Sequence, residues 1–407
     1  MAASPAEQSS FPDHGHRWVM VIAILGGLQI GLLLLDISPV LPVIRHEFGV
    51  DHVAAGWAIS ATIISHTCSL AVAGMVEDRL GPRPLFIAGF SFMLGSVVLR
   101  AVAPTFWLLV LSRVITGFGT ACIGIGSISA ITLYSSAVTR IRDQGIFGGM
   151  QQFGIMVVQL TAPVSVVALG RQTYWLVLAA GIAITLILCL VYFPRGKPGT
   201  MFEATGHMRE VVTDRYGWIL SIANMAGYGA FVGVTAWSAS FLIERYGVTG
   251  AQTGWLTAGA LAFGVLGRMT CGTIVGWMGT QRLIRSFVSL TALAIFLMPL
   301  APVAGIAALF LLVFAWSSSV PFGAIFGSVP LRPAPGGMGR RIMLITISGN
   351  VLGLTLPPLI GYSIHVTGSF TPGFWLAGIF IGAAALVLMR TSLDAQPGTV
   401  IEVAHSQ

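Results

Sequence analysis

The chain has 407 residues, of which 55% are hydrophobic and only 9% charged, and its mean hydropathy is +0.87. Soluble proteins of this length are not so apolar. The net charge of +7, from 21 Lys and Arg against 14 Asp and Glu, raises nucleic acid as a partner, and the placement of those charges excludes it.

The first sixteen residues are polar, and no cleavable signal peptide is evident. Apolar stretches then recur, each long enough to cross a ~30 Å hydrocarbon core as a helix. Twelve spans are expected, at 18–41, 56–76, 84–103, 106–130, 145–168, 173–193, 217–241, 254–276, 283–303, 305–327, 342–364 and 372–390. A membrane β-barrel would show short alternating segments instead. The 50 glycines suit membrane helices that pack closely through small residues. The expected fold class is therefore an all-α membrane protein with twelve transmembrane helices.

With the N-terminus inside, only Arg45, Arg100, Arg171 and Arg245 fall at the outer ends of spans. Arg113 and Arg268 fall within spans, and every other Lys and Arg lies on the inner side. This positive-inside bias places both termini in the cytoplasm and the chain in the inner (plasma) membrane. The basic balance is thus a topology signal and needs no nucleic acid.

Cys68, Cys122, Cys189 and Cys271 all fall in predicted spans with no metal-binding spacing, so they read as buried thiols, with no metal and no cofactor implied.

An internal repeat divides the chain. A shift of 198 carries "IRHEFGVDHVAAGW", from Ile44, onto "LIERYGVTGAQTGW", from Leu242, and takes Gly74 to Gly272 and Gly81 to Gly279. The expected division is a cytoplasmic tail at 1–17, a six-helix bundle at 18–193, a linker at 194–216, a second bundle at 217–391 and a tail at 392–407. Two similar bundles around a midplane site are the economical route to alternating access. No HExxH, nucleotide loop or catalytic dyad points to an enzyme.

The decapeptide "GMVEDRLGPR" concentrates charge between spans two and three. With the six-plus-six repeat, it resembles the major facilitator superfamily, whose loop motif is G-x-x-x-D-[R/K]-x-G-[R/K]-[R/K]. Gly74, Asp78, Arg79, Gly81 and Arg83 match, and Pro82 replaces one basic residue. The second copy keeps Gly272 and Gly279 but has Gly276 and Trp277 at the charged positions. "LSRVITGFGTA" adds Arg113, Gly117 and Gly119, similar to the family's R-x-x-x-G-x-G on helix four, without its glutamine. The resemblance implies two bundles related by a pseudo-two-fold axis. It also implies an inner gating latch from Asp78 to the start of span eleven, where Arg340 and Arg341 sit.

Ionisable groups within the bilayer are costly and mark function. Asp36 and Arg113 both fall roughly 8–10 Å below the outer surface of the core, counting 1.5 Å per residue. A carboxylate stays charged beside a guanidinium and can take a proton when the two part. The family resemblance implies proton coupling at such a pair, against a static ion pair. Arg268 falls deep in span eight. Members of the family that carry small anions are similar in placing an arginine there, where its planar fork can grip an oxyanion. The other reading is that Arg268 braces the gate. The repeat places His66 on the equivalent face of span two, where it can donate to an anion or carry a proton. Gln29, Gln152, Asn224, Tyr228 and Asn350 are further cavity-lining residues to consider, although interior amides often only tie helices together. Pro163, Pro357 and Pro358 should kink spans five and eleven.

The expectation is a proton-coupled secondary transporter of a small anionic solute, by symport or antiport, working as a monomer in the lipid bilayer. The alternative is a proton-driven exporter of drugs or metabolites. A membrane sensor would carry an extra soluble domain, and the loops are too short for one.

Overall fold

The computed structural model describes residues 13–195, 208–334 and 336–393. The two tails and the linker expected at 194–216 therefore lie largely outside the described residues. Among those described, the secondary structure is helical throughout, without a strand.

The first bundle is built from α1 (Asp13–Leu34), a short α2 (Leu41–Phe48), α3 (His52–Leu80), α4 (Pro82–Val102), α5 (Phe106–Tyr134), α6 (Arg140–Leu169) and α7 (Arg171–Tyr192). A short α8 (Met208–Thr213) precedes the second. That bundle holds α9 (Arg215–Asn224), α10 (Ala230–Tyr246), α11 (Gly250–Met278), α12 (Thr280–Leu297), α13 (Ala304–Ser319), α14 (Pro321–Gly327), α15 (Met338–Thr367) and α16 (Thr371–Arg390). Twelve spans result, because α9 with α10 and α13 with α14 each form one. Among the described residues, eleven of them are long and apolar enough to cross a membrane by composition alone. The remaining one, α3, is apolar over much of its length and carries several hydroxyls. Its hydroxyls are spent inside the protein: Thr62 and Ser65 donate to the carbonyls of Arg113 and Val114 on α5, at 3.0 and 2.6 Å.

The repeat is visible in the helix ends. Gly49 and Gly247, 198 positions apart, both end helices in the left-handed region, at φ 63° and 66°. Each is followed by an N-cap, Asp51 or Thr249, whose side chain accepts from the next helix. Gly81 and Gly279 (φ 76° and 79°) likewise turn the chain after α3 and α11. No Cβ is tolerated comfortably at such a φ, so glycine is retained in both copies.

Three spans depart from continuous helices. The first breaks after Leu34 and resumes as a 3-10 turn at Ser38–Val40, with Pro39 at its start. The seventh contains a π turn over Met225–Gly229. The tenth is interrupted at Val320 before Pro321. Pro163, Pro357 and Pro358 do lie inside helices.

The bundles meet along two seams, α3 with α15 and α6 with α11. The repeat relates these seams, since α3 corresponds to α11 and α6 to α15. Backbone approaches backbone there. A Cβ on Gly74 would lie 2.9 Å from the Gly339 carbonyl oxygen and 2.9 Å from Met343 Cβ. Neither seam can close around larger residues at such points. The end of the molecule holding the α3–α4 turn carries most of the charge and is called here the charge-rich end.

Gly74→Ala should stay folded while holding the charge-rich end apart. Spin labels at Val138 and Trp277, which are 90% and 81% exposed, should report longer separations than in the wild type. An unchanged distance distribution would show that the seam does not need this glycine.

Candidate functional site

Three groups of polar residues are buried in this bundle. The first sits where α1 breaks. Asp36 is fully buried in the turn between α1 and Ser38. Its two oxygens accept from Arg113 Nη1 on α5 and from Arg100 Nη1 on α4. Arg113 also donates to the Leu33 and Leu34 carbonyls, at 2.8 and 2.9 Å. Those are the last carbonyls of α1, which the broken helix leaves without partners and which carry its negative dipole end. Arg100 reaches Ser112 Oγ at 3.2 Å and Thr116 Oγ1, and lies 5.0 Å from the Trp175 ring centre. Two guanidiniums thus share one carboxylate and a helix end.

Arg100 corrects the sequence expectation, which set it at the outer end of a span and left it out of the intramembrane charges. It lies two residues from the end of α4, at the depth of Asp36, and its side chain is wholly buried. An arginine at the outer end of a span, level with an intramembrane acid, was the signal available.

The second group lies between the bundles. A cavity of about 40 Å³ is lined by His66, Gln151, Asn224, Tyr228 and Asn350, among others. His66 stands midway along α3 and its Nδ1 is 3.0 Å from Thr120 Oγ1. Asn350 Nδ2 reaches across to Thr67 Oγ1 at 3.3 Å, and Asn224 Nδ2 donates to the Ile345 carbonyl at 2.8 Å. Tyr228 projects from the π turn, a type of helix defect that recurs at functional sites.

Arg268 backs this cavity. It is 4% exposed. Its guanidinium lies 4.3 Å from the Phe322 ring centre and 6.0 Å from that of Tyr228. Nη1 donates to the Gly148 carbonyl at 2.8 Å and to Gln151 Oε1 at 3.4 Å, while Nε has no hydrogen-bond partner among the described residues. Phe322, Tyr228 and Gln151 all line the cavity. No described carboxylate pairs with this arginine. A buried cation held by aromatic faces and neutral oxygens keeps an unbalanced positive field.

Two amides fall elsewhere. Gln29 Nε2 donates to Thr185 Oγ1 at 2.6 Å and to the Gly181 carbonyl at 3.1 Å, tying α1 to α7 inside the first bundle. Gln152 is turned into the α6–α11 seam against Gly264, with neither side-chain atom hydrogen-bonded. Neither lines the cavity. Gln151, one residue before, does.

The third group is at the charge-rich end. Asp78 accepts from the backbone N–H groups of Gly339 and Arg340 at 2.7 and 3.3 Å, and forms an ion pair with the Arg340 guanidinium, Nε 3.5 Å away. It thereby caps the start of α15 from the opposite bundle. Arg341 takes no part in this contact. Its Nε pairs with Asp214 at 2.6 Å, and its other nitrogens donate to the carbonyls of Val329, Arg332 and Pro333. It braces its own bundle, because successive helical residues point about 100° apart. Arg79 is exposed, and Arg83 reaches the Leu190 carbonyl at 3.4 Å. The sequence reading passed over Glu77, which is 5% exposed and accepts from Ser129 Oγ.

Arg100→Gln leaves Asp36 one cation short and should destabilise the folded protein by about 1–3 kcal/mol. Pairing it with Asp36→Asn should cost less than the two single changes summed. Thermal unfolding in detergent measures this, and additive costs would mean the two residues act independently.

Comparison with known proteins agrees with this architecture. The family model of the Major Facilitator Superfamily matches residues 19–340. The nitrite extrusion protein of Bacillus subtilis is 26% identical over 318 residues, covering 77% of this chain and 79% of its own. A probable sulfoacetate transporter, SauU, of Cupriavidus necator is 25% identical over 380 residues, covering 86% and 88%. The outward conformation of the transporter FucP superposes with a TM-score of 0.78 at 12% identity, over 92% of this chain and 98% of that one; at that identity the likeness concerns the fold. The chain belongs to the Major Facilitator Superfamily and is a multi-pass membrane transporter, not an enzyme.

Proposed function

We propose that this protein is a proton-coupled carrier of a small anion that works by alternating access. The observation that carries the reading is Arg268, a buried guanidinium directly behind the cavity-lining Phe322, Tyr228 and Gln151, with no described carboxylate beside it. An anion entering the cavity meets an unbalanced positive charge, and a cation is repelled. Similarity to proteins named for nitrite and for sulfoacetate supports the anionic class. Within the cavity, His66, Asn224, Tyr228 and Asn350 are the proposed polar partners of the cargo. The charge-rich end is assigned to the cytoplasm by the positive-inside rule, which puts both termini inside and the chain in the plasma membrane. Monomeric function is part of the proposal, since each chain has its own cavity. Asp78 on the α15 N-terminus is the proposed inner latch, with Arg340 as its cationic partner.

Proton coupling is proposed at Asp36 and Arg113. Asp36 holds both Arg113 and Arg100. Binding a proton there requires α1 to shift against α4 and α5, so that both guanidiniums withdraw. That requirement ties protonation to a change of conformation.

A lysine at 268 keeps the charge but loses the planar fork. Arg268→Lys should weaken binding of a small oxyanion, and Arg268→Ala should weaken it further, by roughly ten- to a hundredfold, as for a lost charged hydrogen bond. The test is a titration in detergent with nitrite, nitrate and sulfoacetate as probes. If the wild type binds one of them and Arg268→Ala binds it equally well, the arginine only braces the gate and the exporter reading takes over.

Arg113→Ala should abolish accumulation of cargo driven by a pH gradient in proteoliposomes while leaving exchange of cargo without a gradient. A variant that still concentrates cargo makes the cluster a static ion pair.

A further inference from the structure

The buried carboxylates differ in their company. Asp36 has two arginines, Asp78 has Arg340 and two backbone donors, Asp143 has Arg142, and Asp214 has Arg341 with the Tyr216 N–H. Glu77 has none of these. It lies in the last turn of α3, just beyond the apolar stretch 56–76. Among the described residues its side-chain partner is a single hydroxyl, Ser129 Oγ on α5. Its carboxyl rests against Gly339 of α15, where any added side chain would collide with it.

The charged groups around it are committed elsewhere. From α15, Arg340 is directed to Asp78 and to the Gly336 carbonyl, and Arg341 to Asp214. From α4, Arg83 points to the Leu190 carbonyl. From α5, the only charged residue is Arg113, at the other end of that helix. On α3 itself, Asp78 adds negative charge and Arg79 is exposed. A carboxyl covered in this way, beside another carboxylate and without a cation, favours its neutral form. Burial first and the Asp78 charge next push Glu77 up to about 7, against the pull of the Ser129 hydroxyl.

The lid over Glu77 is the opposite bundle. When the charge-rich end opens, α15 withdraws and the carboxyl meets water, where it ionises as an ordinary glutamate. We propose that Glu77 is a proton-binding group of the transport cycle, which holds a proton while the charge-rich end is shut and releases it to water when that end opens. The sign follows from linkage. A group that binds its proton more tightly in the closed form favours closure fully below the ordinary carboxylate range, and that preference is lost as pH rises through about 7. The inference rests on the alternating-access reading but not on the cargo or on Asp36.

The test is the pH dependence of the distance between labels at Val138 and Trp277, measured without cargo in nanodiscs on the full chain. In the wild type, the ratio of open to closed forms should rise several-fold from acidic to alkaline pH, by up to about tenfold per unit across the titration. Glu77→Gln, a neutral mimic of the protonated acid, should keep the end closed throughout. Ser129→Ala removes the hydroxyl that supports the ionised form and should move the midpoint to higher pH. Asp78→Asn serves as the control and should open the end at every pH. If that control fails to open, the latch reading is wrong. If it opens while the wild type ignores pH, or if Glu77→Gln follows pH as the wild type does, the Glu77 proposal is overturned.

Discussion

The arrangement of the interior depends on one contact, the Asp78 carboxylate on the free N–H groups that begin α15. A helix start needs acceptors, and here the acceptor comes from the other bundle. That single cap draws α15 onto α3 closely enough for Gly74 and Gly339 to meet backbone to backbone. The same approach covers Glu77. The bond is made of a charge and two amides, with the Asp78 and Arg340 side chains 1% and 9% exposed, so it is shielded from water in this form.

The far half of the first bundle shows a different economy. Its charges have no ready access to water. The broken end of α1 supplies carbonyls, Asp36 supplies a full negative charge, and two arginines answer both. Nothing in that cluster is left over for cargo. Arg268 is the opposite case, a cation matched by ring faces and two neutral oxygens. The contrast is one of balance: in the first site the charges answer one another, and in the second, among the described residues, a cation is answered by neutral groups.

Much of the fold could be read in advance because lipid imposes a simple code. Backbone groups must bond within the segment, so apolar length reports a helix directly. The repeat was equally legible, since glycines that need a positive φ cannot drift: Gly49 and Gly247, or Gly81 and Gly279, occupy the same conformation in both copies. The meeting of Asp36 with Arg113 followed from depth alone, because rise per residue is constant.

Direction around each helix axis was not legible. Gln151 and Gln152 are neighbours in sequence, yet one lines the cavity and the other faces Gly264 across a seam. Arg340 and Arg341 likewise part, one to Asp78 and one to Asp214. Gln29 looked like a cavity residue and binds α7 instead. A membrane helix is apolar on the lipid side and nearly as apolar inside, so its pattern does not tell which polar residue faces the centre. Arg100 was hidden by a related difficulty, since composition marks where a span ends but not whether a side chain there turns inward. The sequence by itself determined the number of spans, their depth scale, the twofold repeat and the family. Only the packing of one helix on another decided which charges meet, because rotation about the axis is set by the partner.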